Sequence, residues 1–337
     1  MAQNIWLVGL ALVFCPGCWS ASEQELAVVV YSALDSEFAE PILQKYEREQ
    51  KVAIRAKFDV EANKTVGLTQ ALIAEANRPR CDLFWNNEIL HTLRLEKLGL
   101  LDVYRSPTGE SFPAEFRSPN GTWHGFAARA RVLAVNTQLL AEGERPSSIR
   151  DLANEHWRGK CGLAKPLFGT TATHTACLFA AWGDERAKDF FRQVKANDAQ
   201  VFPGNKQVAR AVSSGEIAFG LTDTDDAAEE IAAGRPVAIV YPDQDVDGIG
   251  TLFIPNTLAI MKGCPHPEAA RRLVDYLLAP AIEEQLANGP SVQIPLNPLA
   301  KTPPNIFTPK TIRAMRADFS AAAEQWETAA TFLRAEF

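Results

Sequence analysis

Apolar strand-like runs and amphipathic helical patterns alternate along almost the whole chain, and few folds accept that order. Ala27–Tyr31 reads as a continuous β run, and Phe38, Ile42, Leu43 and Tyr46 share one face of the helix that follows. Val52–Phe58 reads as a second strand, then a helix capped by Asn63 turns Val66, Ala71, Leu72 and Ala74 inward. Asp82–Trp85 reads as a short strand and Glu88–Leu98 as a helix closed by Gly99. A βαβαβα order predicts an α/β fold with a doubly wound, largely parallel sheet. Ligands on such sheets gather beyond the carboxyl ends of the strands, here Ser32–Asp35, Asp59–Lys64 and Asn86–Glu88.

A Pro/Gly-rich stretch, Ser106–Gly125, interrupts the pattern before a long strand at Phe126–Asn136 that carries Arg129 and Arg131. A second alternating set follows. Its strands are Cys161–Lys165, Ala199–Phe202, Ile217–Leu221 and Val237–Tyr241; its helices are Thr170–Trp182, Glu185–Lys195, Lys206–Ser213 and Asp225–Ala233. After Pro242–Gly250 come strands Thr251–Ile254 and Thr257–Met261, then helices His266–Leu278, Ala281–Asn288 and Thr311–Glu336. At 337 residues the chain exceeds what one core usually supports. Two lobes are expected, residues 26–128 with 255–337 and residues 129–254, joined by two crossings.

Ile5–Phe14 is too short an apolar run to span a bilayer but suits the core of a signal peptide, expected over residues 1–20. Gly17-Cys18 resembles a lipobox with Cys18 as the lipidated residue, although Cys15 stands where Leu is usual; ordinary cleavage near Ala21 is the alternative. The expected location is the periplasm, with membrane contact only through that anchor. A net charge of −7 and no basic patch argue against a nucleic-acid partner. Cys81, Cys161, Cys177 and Cys264 make no CxxC pair, which argues against structural zinc. Cys161 and Cys177 are near enough in sequence to consider as a disulfide, but all four read better as buried small apolar residues.

Several segments carry chemistry. Thr222-Asp223-Thr224-Asp225-Asp226 sets three carboxylates at a helix start, more than capping requires, and like charges so close call for a cation or a ligand amine. Gly169-Thr170-Thr171 opens a helix after a strand, and its free N–H groups suit an anion, with Lys165 one turn before. Asn86, Asn87 and Glu88 are polar side chains at a strand end, at least one of them expected in the cleft, with Glu88 alternatively the cap of its own helix. Asn205 opens a further helix and is a weaker cleft candidate. Arg129 and Arg131 read as anion clamps or as partners of the aspartates, and His174 as packed. Asp243–Gly248 has the DxDxDG spacing of a calcium loop, yet Ile254 stands where the bidentate carboxylate belongs, so it reads as a solvated loop. Tyr241 is a packed tyrosine or, alternatively, a phenolate donor.

The motifs Val30-Tyr31-Ser32-Ala33-Leu34-Asp35, Cys81-Asp82-Leu83-Phe84-Trp85-Asn86-Asn87-Glu88 and Phe219-Gly220-Leu221-Thr222-Asp223 resemble those of bacterial extracellular solute-binding proteins. Within these the chain looks most like the ferric-ion-binding branch of the type II periplasmic binding proteins. The resemblance covers residues 26–300. It implies a two-lobed fold, each lobe a mostly parallel sheet flanked by helices, with the ligand cleft between. It also implies a monomeric, non-enzymatic component of an ABC importer, working with permease and ATPase subunits and no cofactor. The cargo it implies is ferric iron or a related hard cation with a synergistic anion. By position the first loop offers Asp35, and the third Asn87 with Glu88 beside it; Ser32, Ala33 and Asn86 in the same loops are further ligand-binding candidates. The branch's tyrosine pair falls on Asp225-Asp226, and its anion position near Gly169–Thr171. The implied metal set is therefore Asp35, Glu88, Asp225 and Asp226, with a weaker preference for iron because the tyrosines are missing. Two alternatives stand beside it: a small organic solute such as a phosphonate or aminophosphonate, and a phosphatase-like enzyme using Asp223 or Asp225.

Overall fold

A computed structural model describes residues 27–59 and 65–337. The leader, Cys18 and the Asn63 cap lie outside the described residues. The first set of elements is β1 (Ala27–Ser32), α1 (Ser36–Gln50), β2 (Ala53–Phe58), α2 (Val66–Ala74), β3 (Leu83–Asn86) and α3 (Leu90–Lys97). A thirteen-residue strand, β4 (His124–Asn136), leads to the second set. That set is β5 (Cys161–Ala164), α4 (Gly169–Trp182), α5 (Asp184–Ala196), β6 (Gln200–Phe202), α6 (Asn205–Ser214), β7 (Phe219–Asp223), α7 (Thr224–Ala232) and β8 (Val237–Val240). The chain returns through β9 (Phe253–Ile260) to α8 (Pro267–Leu277), α9 (Pro280–Asn288) and α10 (Phe319–Glu336).

The strands run in the order β2-β1-β3-β9-β4-β7-β5-β6, with β8 paired to β4. β1 is parallel to β2 and β3, and β5 is parallel to β6 and β7. The helical patterning explains why each parallel group is covered. In α1 the predicted face of Phe38, Ile42, Leu43 and Tyr46 is buried, each side chain contributing about 1.5–3 kcal/mol by leaving water. One core gathers Val28, Val30, Phe84 and Trp85 with Leu273 and Leu277. Another gathers Leu163, Phe179, Phe191, Phe219 and Leu221.

β4 and β9 join the halves. Residues 124–130 of β4 pair with β9, whereas Arg131–Val135 pair with β7. The register slips between Phe126 and Arg129, and Ala127 adopts φ +42°. The freed backbone groups are answered: the Ala127 N–H donates to the Glu283 carboxylate of α9 and the Ala128 N–H to the Ile294 carbonyl. The crossing is thus a hydrogen-bonded bulge, with both arginines on its second-lobe side.

Three expectations need correction. The strands expected at Thr251–Ile254 and Thr257–Met261 are one strand, β9. The helix expected from Thr311 begins only after Asp318, whose carboxylate accepts the Ala321 N–H; upstream, Arg313 and Met315 exchange backbone bonds with Thr251. Assigning all of 255–337 to the first lobe also fails at α10. This helix lies against α4 and α5 of the second lobe and touches α3 of the first, burying Trp326, Ala330 and Leu333 in the second core. The four described cysteines are free and buried.

Candidate functional site

The carboxyl ends of β1, β3, β5, β6 and β7 converge on one cavity of about 50 Å3. The first lobe contributes Asp35, at the N-cap of α1, and Asn87, after β3; the crossing contributes Arg129. The second lobe contributes Lys165, Phe168, Gly169 and Thr170 around the start of α4, Gly204 and Asn205 at the start of α6, and Asp223, Asp225 and Asp226 where β7 turns into α7. Larger grooves of about 560 and 570 Å3 lie elsewhere, one beside Arg117 and His124, the other beside Leu139 and Trp157. Neither collects parallel strand ends, so the smaller cavity is the candidate site.

A buried ion pair sits under this cavity. Arg131, fully buried, donates to Asp223 Oδ1 at 2.7 Å and to the hydroxyls of Thr170 and Thr171 and Oδ1 of Asn205. Asn205 Nδ2 and the Thr170 hydroxyl donate to Asp223 Oδ2. This network pins the first turns of α4 and α6 to the end of β7. Asp223 is therefore charge-compensated, and Thr171, 2 % exposed, is part of the same network.

Arg129 plays a second role. Its Nη2 stands 3.2 Å from Asp225 Oδ2, and its Nη1 donates to the Asn87 carbonyl. Burial works against its charge, but Asp225, Asp223, Asp35 and Asp226 together hold its pKa above the ordinary guanidinium value. Asp223, Asp225 and Asp226 each present an oxygen within 4.8 Å of the others. Against these carboxylates stand two helix starts without side-chain caps, α4 after Phe168 and α6 after Gly204. Such ends carry free N–H groups and the positive end of the helix dipole. The cavity thus has acidic and anion-accepting walls together.

Of the residues expected here, Asp35, Asn87, Lys165, Gly169, Thr170, Asn205, Asp223, Asp225 and Asp226 line the cavity. Glu88 does not, and its expected role as a metal ligand is corrected. Its carboxylate accepts from the Leu90 and His91 N–H groups, Asn86 Nδ2 and the Thr173 hydroxyl, so it caps α3 and ties that helix to α4. Asn86 is likewise internal, bonded to Glu88 and Thr92. Ser32 and Ala33 shape the first loop: the Ser32 hydroxyl donates to the Leu34 carbonyl and the Ala33 N–H to that of Trp85. Thr222 is buried, its hydroxyl donating to the Asn205 carbonyl. Tyr241 packs edge-on against Phe307, and none of the five tyrosines lines the cavity. His174 is buried, its pKa pushed well below the ordinary value by burial and then by Arg131. In the Asp243–Gly248 loop Val246 is exposed, but Asp243 is buried and accepts from the Ser148 hydroxyl. Phe168, Pro203 and Gly204 were not expected; the only hint was their place just before two helix starts.

A family model described as bacterial extracellular solute-binding protein matches residues 91–316. The chain belongs to that family. This binding protein is 27 % identical over 252 residues to iron uptake protein A1 of Synechocystis, covering 69 % of each chain. It is 23 % identical over 217 residues to a putative 2-aminoethylphosphonate-binding periplasmic protein of Salmonella typhimurium, covering 63 % of this chain and 61 % of that one. Iron-bound HitA from Pseudomonas aeruginosa has the same two-lobed fold, with a TM-score of 0.82 at 21 % identity over 92 % of this chain and 99 % of that one. The chain is thus, by family, an extracellular solute-binding protein. No helix among the described residues is long and apolar enough to cross a membrane.

Proposed function

We propose that the cargo is a small zwitterionic organic anion, with 2-aminoethylphosphonate as the model compound. Its acidic head lies at the starts of α4 and α6 and beside Lys165, and its amine lies among Asp35, Asp225 and Asp226. The observation that carries this reading is the meeting of uncapped helix starts and a carboxylate cluster, drawn from both lobes, in one cavity. Cargo that touches both lobes favours the closed form by its differential contacts, and the closed form docks on the permease.

A second reading keeps ferric iron, or a related hard cation, with a synergistic anion at α4. The three clustered carboxylates of α7's start and the iron-binding relatives favour it. It ranks second because Glu88 is engaged elsewhere, Asp223 is held by Arg131, and no phenolate faces the cavity. Secretion through the 1–20 leader, with lipid on Cys18, completes the proposal; mass spectrometry of the mature N-terminus tests that step.

The cargo reading is tested by thermal shift and calorimetry on protein stripped with chelator. Millimolar 2-aminoethylphosphonate raises the Tm clearly if its Kd is micromolar, and inorganic phosphate raises it less. A response to ferric ion alone or to ferric citrate, with none to the phosphonate, overturns the first reading in favour of the second.

A further inference from the structure

We propose that Phe168 determines specificity in this cleft by reading the carbon skeleton of an organic anion, an inference that rests on the cargo reading above. Phe168 occupies the N-cap position of α4: its backbone is extended, with φ −138° and ψ 153°, and its carbonyl accepts the Ala172 N–H at 3.1 Å. Ser, Thr, Asp or Asn ordinarily stand there because their oxygens satisfy the first free N–H groups. A phenyl ring does not, and α4 has no side-chain cap. The sequence thus forgoes a stabilising cap and sets an aromatic face beside open donors.

That ring lines the cavity with Ala164 and Pro203 while 36 % exposed. From the first lobe Asn87 lines the same cavity, is 3 % exposed, and has a buried Oδ1 with no hydrogen-bond partner. A buried amide acceptor without a donor is costly, and a ligand donor answers it. An inorganic anion satisfies the start of α4 but leaves the ring wet and Asn87 unmet. A metal ion has no use for the ring. The complementary ligand is a phosphonate or phosphate ester bearing a short carbon segment, which covers Phe168, and an amine or hydroxyl donor, which reaches Asn87.

The test is calorimetric titration of the wild type, Phe168→Ala and Phe168→Leu with inorganic phosphate, methylphosphonate and 2-aminoethylphosphonate. The wild type is expected to bind more tightly along that series. Phe168→Ala is expected to shrink the advantage of 2-aminoethylphosphonate over phosphate by roughly fivefold to tenfold, the loss of some tens of Å2 of apolar burial, with phosphate affinity nearly unchanged. Phe168→Leu keeps most of that advantage, and the exposed position leaves the Tm of both variants near the wild-type value. An unaltered ratio in Phe168→Ala, or an equal loss for phosphate and 2-aminoethylphosphonate, overturns the role of Phe168 alone. Wild-type protein that binds none of the three compounds overturns the cargo reading and this inference with it.

Discussion

Arg129 reaches two lobes at once: Nη2 pairs with Asp225 Oδ2 at 3.2 Å, and Nη1 donates to the Asn87 carbonyl at 3.3 Å. It stands on β4 just past the bulge at Ala127, where the chain passes from one lobe to the other. A cationic cargo group arriving at Asp225 therefore meets a resident guanidinium, and affinity depends on how that pair rearranges.

Asp225→Asn is expected to weaken 2-aminoethylphosphonate binding by roughly tenfold to a hundredfold, the loss of a charge-assisted contact. Phosphate, which lacks the amine, is expected to lose far less or to gain, because a carboxylate has left the cavity. Isothermal titration of both ligands decides it; equal loss for both contradicts an amine site at Asp225.

Arg131→Met leaves Asp223 buried without its cation, and removal of one partner of a buried pair typically costs about 3–5 kcal/mol. A urea midpoint well below the wild type is expected. The double variant Arg131→Met with Asp223→Leu is expected to recover part of that loss, since no charge is then stranded. A neutral single variant would show that water reaches the network.

Glu88→Gln tests whether this carboxylate caps a helix or holds cargo. Its acceptor bonds to the Leu90 and His91 N–H groups predict a stability loss of about 1–2 kcal/mol. Affinity for 2-aminoethylphosphonate is expected to stay within about threefold of the wild type. Ferric-ion binding abolished by this substitution would restore Glu88 as a metal ligand.

Acid should destabilise the protein through His174. Burial, then Arg131, holds its folded pKa well below the ordinary histidine value, so the unfolded chain binds the proton more readily. The contribution is complete above the unfolded pKa of about 6.5 and is lost as the pH falls below it. Glu283 works in the opposite sense, because burial raises its pKa. The comparison is therefore between wild type and His174→Asn: chemical denaturation at pH 7.5 and 5 should show a shallower loss in the variant.

Local pattern made much of this molecule legible. The faces of α1, the strand–helix order and the position of the cleft at strand ends all follow from the period of apolar residues and from loop chemistry, which act over a few residues. The carboxylates of Thr222–Asp226 were visible for the same reason. Their partners were less so: Arg131 and Asp223 lie 92 positions apart, and either could have faced solvent.

The strand–helix order, with the length of the chain, determined that it builds parallel groups of strands in two halves joined by long strands, and where a cleft opens. Only the tertiary structure decided which acids face that cleft. Glu88 and Asp35 look alike in sequence, but Glu88 turns inward, accepting from the start of α3 beside it and from the Thr173 hydroxyl 85 positions further along, while Asp35 lines the cavity. The local cap belongs to the sequence; the long-range partner and the burial depend on segments that meet only when the chain folds.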